Sequence, residues 1–87
     1  MTMDADQITA RVAGLVAERV PRRALVTRDA RIRELGLDSV AVMDLVMAVE
    51  DEFDVVFPLD RLAEVETLDD LARVVRGLVE QREATTP

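Results

Sequence analysis

The 87-residue chain has no cysteine, histidine, lysine, asparagine, tryptophan or tyrosine. Each absence closes a class of chemistry. Without Cys there is no disulfide, no thiol nucleophile and no zinc-finger spacing, and without His there is no imidazole acid or base. Without Lys no Schiff base can form, so all eleven cations are Arg. Phe53 and Phe57 are the only aromatics, and serine occurs once, at Ser39. No segment approaches the roughly 20 apolar residues of a membrane span. The start, residues 1–6, lacks the basic residues and apolar run of a signal peptide. The expected location is cytoplasmic.

What is present is acid, aliphatic side chains and little else. The net charge is −7, so a nucleic-acid partner is not expected, because phosphate recognition needs a basic face. Basic protein surfaces are the natural counterpart. With 49% hydrophobic residues the chain can fold. At this length it forms one domain, 1–87 with a core over about 5–80, that buries roughly 60–65% of its unfolded surface. The charge is uneven. Residues 38–70 hold eleven acids against Arg61 alone, whereas the flanking thirds carry a small positive excess. Crowded carboxylates are expected to repel one another there.

Apolar periodicity predicts a first helix over 4–20, with Ile8, Val12, Leu15, Val16 and Val20 on one stripe and Pro21-Arg22-Arg23 at its end. Residues 21–37 read as a long connection, tacked down by Leu25, Ile32 and Leu35 and turned by Gly36. Asp38 is the expected N-cap of a second helix that runs to Phe53. On a helical wheel its apolar residues Val40, Val42, Met43, Leu45, Val46, Met47, Val49 and Phe53 fill about 220° of arc. That predicts a mostly buried helix at the centre of the fold, with Asp44, Asp51 and Glu52 in water and Glu50 bending outward. Residues 54–58 read as extended, with Val55 and Phe57 inward. Leu59 to Val65 is a helix of one or two turns, which needs tertiary support. Thr67-Leu68-Asp69-Asp70 resembles a capping box that opens a last helix, with residues 83–87 frayed. The expected fold is all-α: a small four-helix bundle of three longer helices and one short third helix, with a long first loop.

Eighteen carboxylates on a domain too small for a deep pocket do not make an enzyme, and Ser39 has no base to activate it. Its position is more informative. It stands at a helix start, where unpaired N–H groups favour an anion, so a phosphate ester there would be well placed. The plain alternative is an Asp-Ser helix cap with no further role.

Glu34-Leu35-Gly36-Leu37-Asp38-Ser39-Val40 resembles the modification site of acyl carrier proteins. The long first loop, the helix ending Val49-Glu50-Asp51-Glu52-Phe53, Pro58 and the Thr67-to-Leu71 helix start all agree with that family. The resemblance covers about residues 5–80 and implies a free-standing, monomeric carrier that is not itself an enzyme. Ser39 would receive a 4′-phosphopantetheine arm from coenzyme A through a phosphopantetheinyl transferase, with Asp38 helping to hold Mg²⁺ in that complex. The arm's thiol would carry acyl groups for acyl-transferring, ketosynthase-type or acyl-ligase enzymes with basic docking surfaces. Fatty-acid, polyketide and specialised-lipid pathways all remain open. Leu37, Val40, Asp44, Glu50, Asp51, Glu52 and Asp54 are the expected partner-binding residues. Val40, Met43, Val46, Met47, Phe53, Leu62, Val65, Leu71 and Val75 are the expected lining of an acyl-chain space between the second, third and last helices. For each of these, plain core packing is the competing role. Two departures from the family stand out: Val40 where Leu is common, and Ala41 where an acid is common. Arg31 and Arg33 also make the approach to Ser39 less negative. A peptidyl or aminoacyl carrier, or an unmodified acidic adaptor, are the alternatives.

Overall fold

A computed structural model describes residues 3–21 and 26–85. Three α-helices, α1 (Ala5–Ala17), α2 (Ser39–Phe53) and α3 (Leu68–Thr85), are joined by segments that contain two 3₁₀ turns, Ile32–Leu35 and Leu59–Glu64. No strand occurs among the described residues, only an isolated antiparallel bridge between Arg31 and Thr67. The all-α bundle with three long helices and a short third one is as expected. The turn at Ile32–Leu35 is an addition.

Helix α1 begins with a reciprocal cap. Asp4 accepts from the Gln7 backbone N–H at 2.8 Å, and the Gln7 side chain accepts from Asp4 N–H at 2.9 Å. It ends at Ala17, three residues short of the predicted end, because Glu18 and Arg19 turn back onto the carbonyls of Gly14 and Val16. Val20 still reaches the core from that turn. Of the tacking residues, Leu35 is buried and Ile32 packs against the core, while Leu25 and the Arg22-Arg23 pair lie outside the described residues.

The core corrects the placing of α2 at the centre. Helix α3 buries Leu68, Leu71, Ala72, Val74, Val75, Leu78 and Val79, and α1 leans on it through Ile8, Val12 and Val16. Helix α2 buries only Leu45, Val46, Val49 and Phe53. Phe57 is buried and Val56 exposed, the alternation expected of an extended 54–58 segment. Helix α3 continues to Thr85, and residues 86–87 of the 83–87 end expected to fray lie outside the described residues.

The long first loop is fastened to the start of α3. A helix N-terminus leaves its first N–H groups without acceptors. Here the loop supplies them: Leu68 N–H donates to the Ala30 carbonyl at 2.9 Å and Asp69 N–H to the Arg28 carbonyl at 2.8 Å. In return Ile32 N–H donates to the Glu66 carbonyl at 2.9 Å. Asp70 N–H donates to Thr67 Oγ1, while Asp70 Oδ2 accepts from Thr67 and Glu66 N–H, each at 3.1 Å, which completes the expected capping box. Arg28 closes the junction with two hydrogen bonds to Asp69 Oδ1, at 2.8 and 3.2 Å.

These contacts hold two carboxyls below the usual range. Asp69 is lowered chiefly by the hydrogen bond from Arg28, and Asp70 chiefly by the backbone N–H groups of Thr67 and Glu66. Their folded pKa values therefore lie below the unfolded ones, so the stability they add is complete above about pH 4 and is lost as pH falls through the folded values. The melting temperature should fall on acidification below about pH 4. Asp69→Asn/Asp70→Asn should start lower and lose less over the same interval. Thermal melts of both proteins from neutral to acid pH check this, and parallel curves would contradict it.

Candidate functional site

The loop junction delivers the chain to the start of α2 in a fixed sequence of steps. Leu35 anchors the first 3₁₀ turn in the core. Gly36 then turns the backbone through a left-handed conformation, φ 82°. Among the described residues other than its chain neighbours, the nearest atom to its missing Cβ is Pro21 Cδ at 4.0 Å, so the left-handed torsion is what favours glycine here. Leu37 packs against the core. Asp38 is extended and accepts the Ala41 N–H at 2.8 Å, which makes it the N-cap expected.

Ser39 follows as the first residue of α2 and is exposed. With Val40, Met43, Asp44 and Met47 it lines a shallow, open hollow. These apolar residues are not interior: Val40 is 76% exposed, Met47 61% and Met43 42%. This corrects the reading of a mostly buried helix. The wheel merged two stripes into one arc. Leu45, Val46, Val49 and Phe53 face the core that α2 shares with α1, whereas Val40, Met43 and Met47 lie on a neighbouring, exposed stripe.

The proposed pocket lining therefore divides in two. Val46, Phe53, Leu71 and Val75 belong to one buried core cluster, and Leu62 and Val65 pack against it. Val40, Met43 and Met47 do not join them.

The acidic residues divide as well. Arg19 Nε donates to Asp44 Oδ2 at 2.9 Å, and Arg11 Nη1 lies 3.0 Å from Glu52 Oε2. Glu50, expected to bend outward, turns inward instead: its Oε2 accepts the Phe57 N–H at 2.9 Å and so supports the extended segment. Asp54 takes a left-handed backbone, φ 53°, as the C-cap of α2, and its carboxylate is 3.9 Å from Arg82. Asp51 is exposed and has no ion-pair partner among the described residues. The arginine partners of Asp44 and Glu52 were missed in the sequence. A signal existed: Arg11 and Arg19 are eight residues apart, as are Asp44 and Glu52, and the pairs run in opposite directions.

An exposed hydroxyl on the first turn of a capped helix can bear an anionic ester. The N–H groups of Ser39 and Val40 have no acceptor inside the helix, and the helix start carries partial positive charge. The residues present thus fit a phosphate-linked group, and the hollow offers apolar surface beside it.

Comparison with known proteins agrees. Residues 7–75 match the family described as a phosphopantetheine attachment site. The chain is 42% identical over 73 residues to a probable acyl carrier protein of Caulobacter vibrioides (strain NA1000 / CB15N), spanning 82% of this chain and 85% of the relative. It is 32% identical over 73 residues, with the same coverage, to an acyl carrier protein of Rickettsia typhi (strain ATCC VR-144 / Wilmington). To acyl carrier protein 3 of Ralstonia nicotianae (strain ATCC BAA-1114 / GMI1000) it is 41% identical over 54 residues, 62% of each chain. The chain belongs to the acyl carrier protein family, whose members are carriers that bear a covalent 4′-phosphopantetheine. None of the described helices is long and apolar enough to cross a membrane.

The start of α2 depends on its cap and its turn. Asp38→Ala should cost about 1 kcal/mol, and Gly36→Ala about 1–2 kcal/mol through the left-handed backbone. Urea unfolding measures both. A neutral Gly36→Ala would show that the turn relaxes freely.

Proposed function

We propose that Ser39 is the residue that carries the phosphopantetheine arm, and that this chain presents acyl cargo to acyl-handling enzymes. The observation that carries the reading is the exposure of the lone serine on the first turn of a helix capped by Asp38, inside the family match. When attached, the arm supplies a thiol that holds acyl groups as thioesters.

Each residue then has a task. Ser39 Oγ would take the arm's phosphate from coenzyme A as the pyrophosphate bond breaks, the hydroxyl proton is lost and the adenosine bisphosphate portion leaves, and the unpaired N–H groups at the helix start would favour that anion. Asp38 caps the helix start with one carboxylate oxygen, and its carboxylate would help to hold Mg²⁺ in the complex with a phosphopantetheinyl transferase. Leu37, Val40, Asp44, Asp51, Glu52 and Asp54 surround the attachment point and the outer side of α2, where partners dock. Glu50 serves the fold, since its carboxylate is committed to Phe57. Val46, Phe53, Leu62, Val65, Leu71 and Val75 form the wall against which an acyl chain would lodge if α2 and α3 part. The names of the relatives support acyl over aminoacyl cargo, and fatty-acid, polyketide and specialised-lipid enzymes are all suitable partners.

Intact-mass measurement after incubation with coenzyme A and a phosphopantetheinyl transferase should show a single added arm, located on Ser39 by fragmentation. Ser39→Ala should gain nothing while it keeps its helical spectrum. A wild-type protein that gains no mass, or a Ser39→Ala protein that gains as much, would leave an unmodified acidic adaptor.

A further inference from the structure

Asp44 stands one helical turn beyond Val40 and lines the same hollow as Ser39. Its carboxylate is held by Arg19, and Arg19 arrives already positioned. Besides its bond to Asp44, its Nη1 donates to the Leu15 carbonyl at 2.8 Å and to Glu18 Oε2 at 3.3 Å. The Arg19 side chain is 21% exposed against 64% for Asp44. A guanidinium already held by two acceptors loses little further freedom when it binds a third. The surface beside Ser39 therefore combines an acid paired from within the chain with three exposed apolar side chains, Val40, Met43 and Met47. Contiguous exposed apolar surface of this kind marks an interaction site.

We propose that Arg19 is a specificity-determining residue of this carrier. By occupying Asp44 from within the chain, it lowers the charge offered beside Ser39 and leaves an apolar docking surface, fitted to enzymes that meet Val40, Met43 and Met47 with an apolar hollow. The proposal rests on the reading of Ser39 as the attachment residue. A partner that approaches with lysines or arginines must displace Arg19 before it can pair with Asp44, and it exchanges one ion pair for another. Charge steering toward Ser39 is weakened accordingly, and discrimination passes to shape and apolar fit. Asp51, further along α2, remains the exposed acid without an ion-pair partner among the described residues.

The test is loading of Ser39 from coenzyme A by a phosphopantetheinyl transferase of net positive charge. The rate is followed as kcat/KM from about 20 to about 300 mM ionic strength, which spans strong to weak screening. Wild type, Arg19→Gln, Asp44→Asn, the double variant and Met47→Gln are compared. Arg19→Gln should load roughly threefold faster at low salt and show a steeper salt dependence than wild type. The gain should vanish in Arg19→Gln/Asp44→Asn, and Met47→Gln should be slower at every ionic strength. Damage to the fold would not raise a rate or steepen its salt slope, so these readouts separate docking from stability. An Arg19→Gln protein with the wild-type slope, a gain that survives loss of Asp44, or a silent Met47→Gln would overturn the proposal. A wild-type chain that acquires no arm refutes the Ser39 reading instead.

Discussion

The exchange of backbone hydrogen bonds between residues 28–32 and residues 66–69 is the constraint on which the site depends. Each side solves the other's problem. Helix α3 needs acceptors for its first N–H groups, and a long loop needs partners that stop it from wandering. The carbonyls of Arg28 and Ala30 meet the N–H groups of Asp69 and Leu68, and Ile32 N–H returns a bond to Glu66. With that junction closed, Leu35 can anchor, Gly36 can turn and Asp38 can cap, so that Ser39 emerges at one defined place. Under the proposed role of Ser39, function needs only an exposed hydroxyl on the first turn of α2. The domain supplies placement, and a bound arm supplies the reactive group.

Charge follows a different logic in space than along the chain. Residues 38–70 carry all of the excess acid, which reads as a self-repelling segment. In the folded chain the arginines of the flanking segments come to meet it: Arg11 at Glu52, Arg19 at Asp44, Arg28 at Asp69, Arg73 at Asp69 and Asp70. Each exposed pair adds little stability by itself. Together they change what a partner meets on α2. The surface beside Ser39 is less acidic and more apolar than the composition implies, because Val40, Met43 and Met47 stay uncovered while Asp44 is answered from within.

Much of this was legible. The caps at Asp38 and at Thr67/Asp70, the inward Phe57 and the short element after Pro58 follow from local chemistry, since each needs only residues a few positions apart. The family was readable from Gly36-Leu37-Asp38-Ser39 together with the order of the landmarks around it. What escaped reading depends on distant partners. Backbone bonds between a loop and a helix start leave no residue signature. Glu50 points inward because Phe57 N–H, seven positions on, needs an acceptor. The burial of α2 was overestimated because a wheel counts apolar residues without counting neighbours. The pairing of Arg11 and Arg19 with Glu52 and Asp44 could have been found from their matched eight-residue spacings, had the two helices been assumed antiparallel.

Site-resolved amide hydrogen exchange tests the dependence of the site on the loop junction most directly. The amides of Ile32, Leu68 and Asp69 should be protected alongside those of Ala41 and Val42 at the start of α2. Arg28→Ala, which removes the side-chain bonds to Asp69, should lower protection at both places together. Rapid, free-peptide exchange at Ile32, Leu68 and Asp69 while Ala41 and Val42 remain protected would contradict the account, because the start of α2 would then stand without the junction said to hold it.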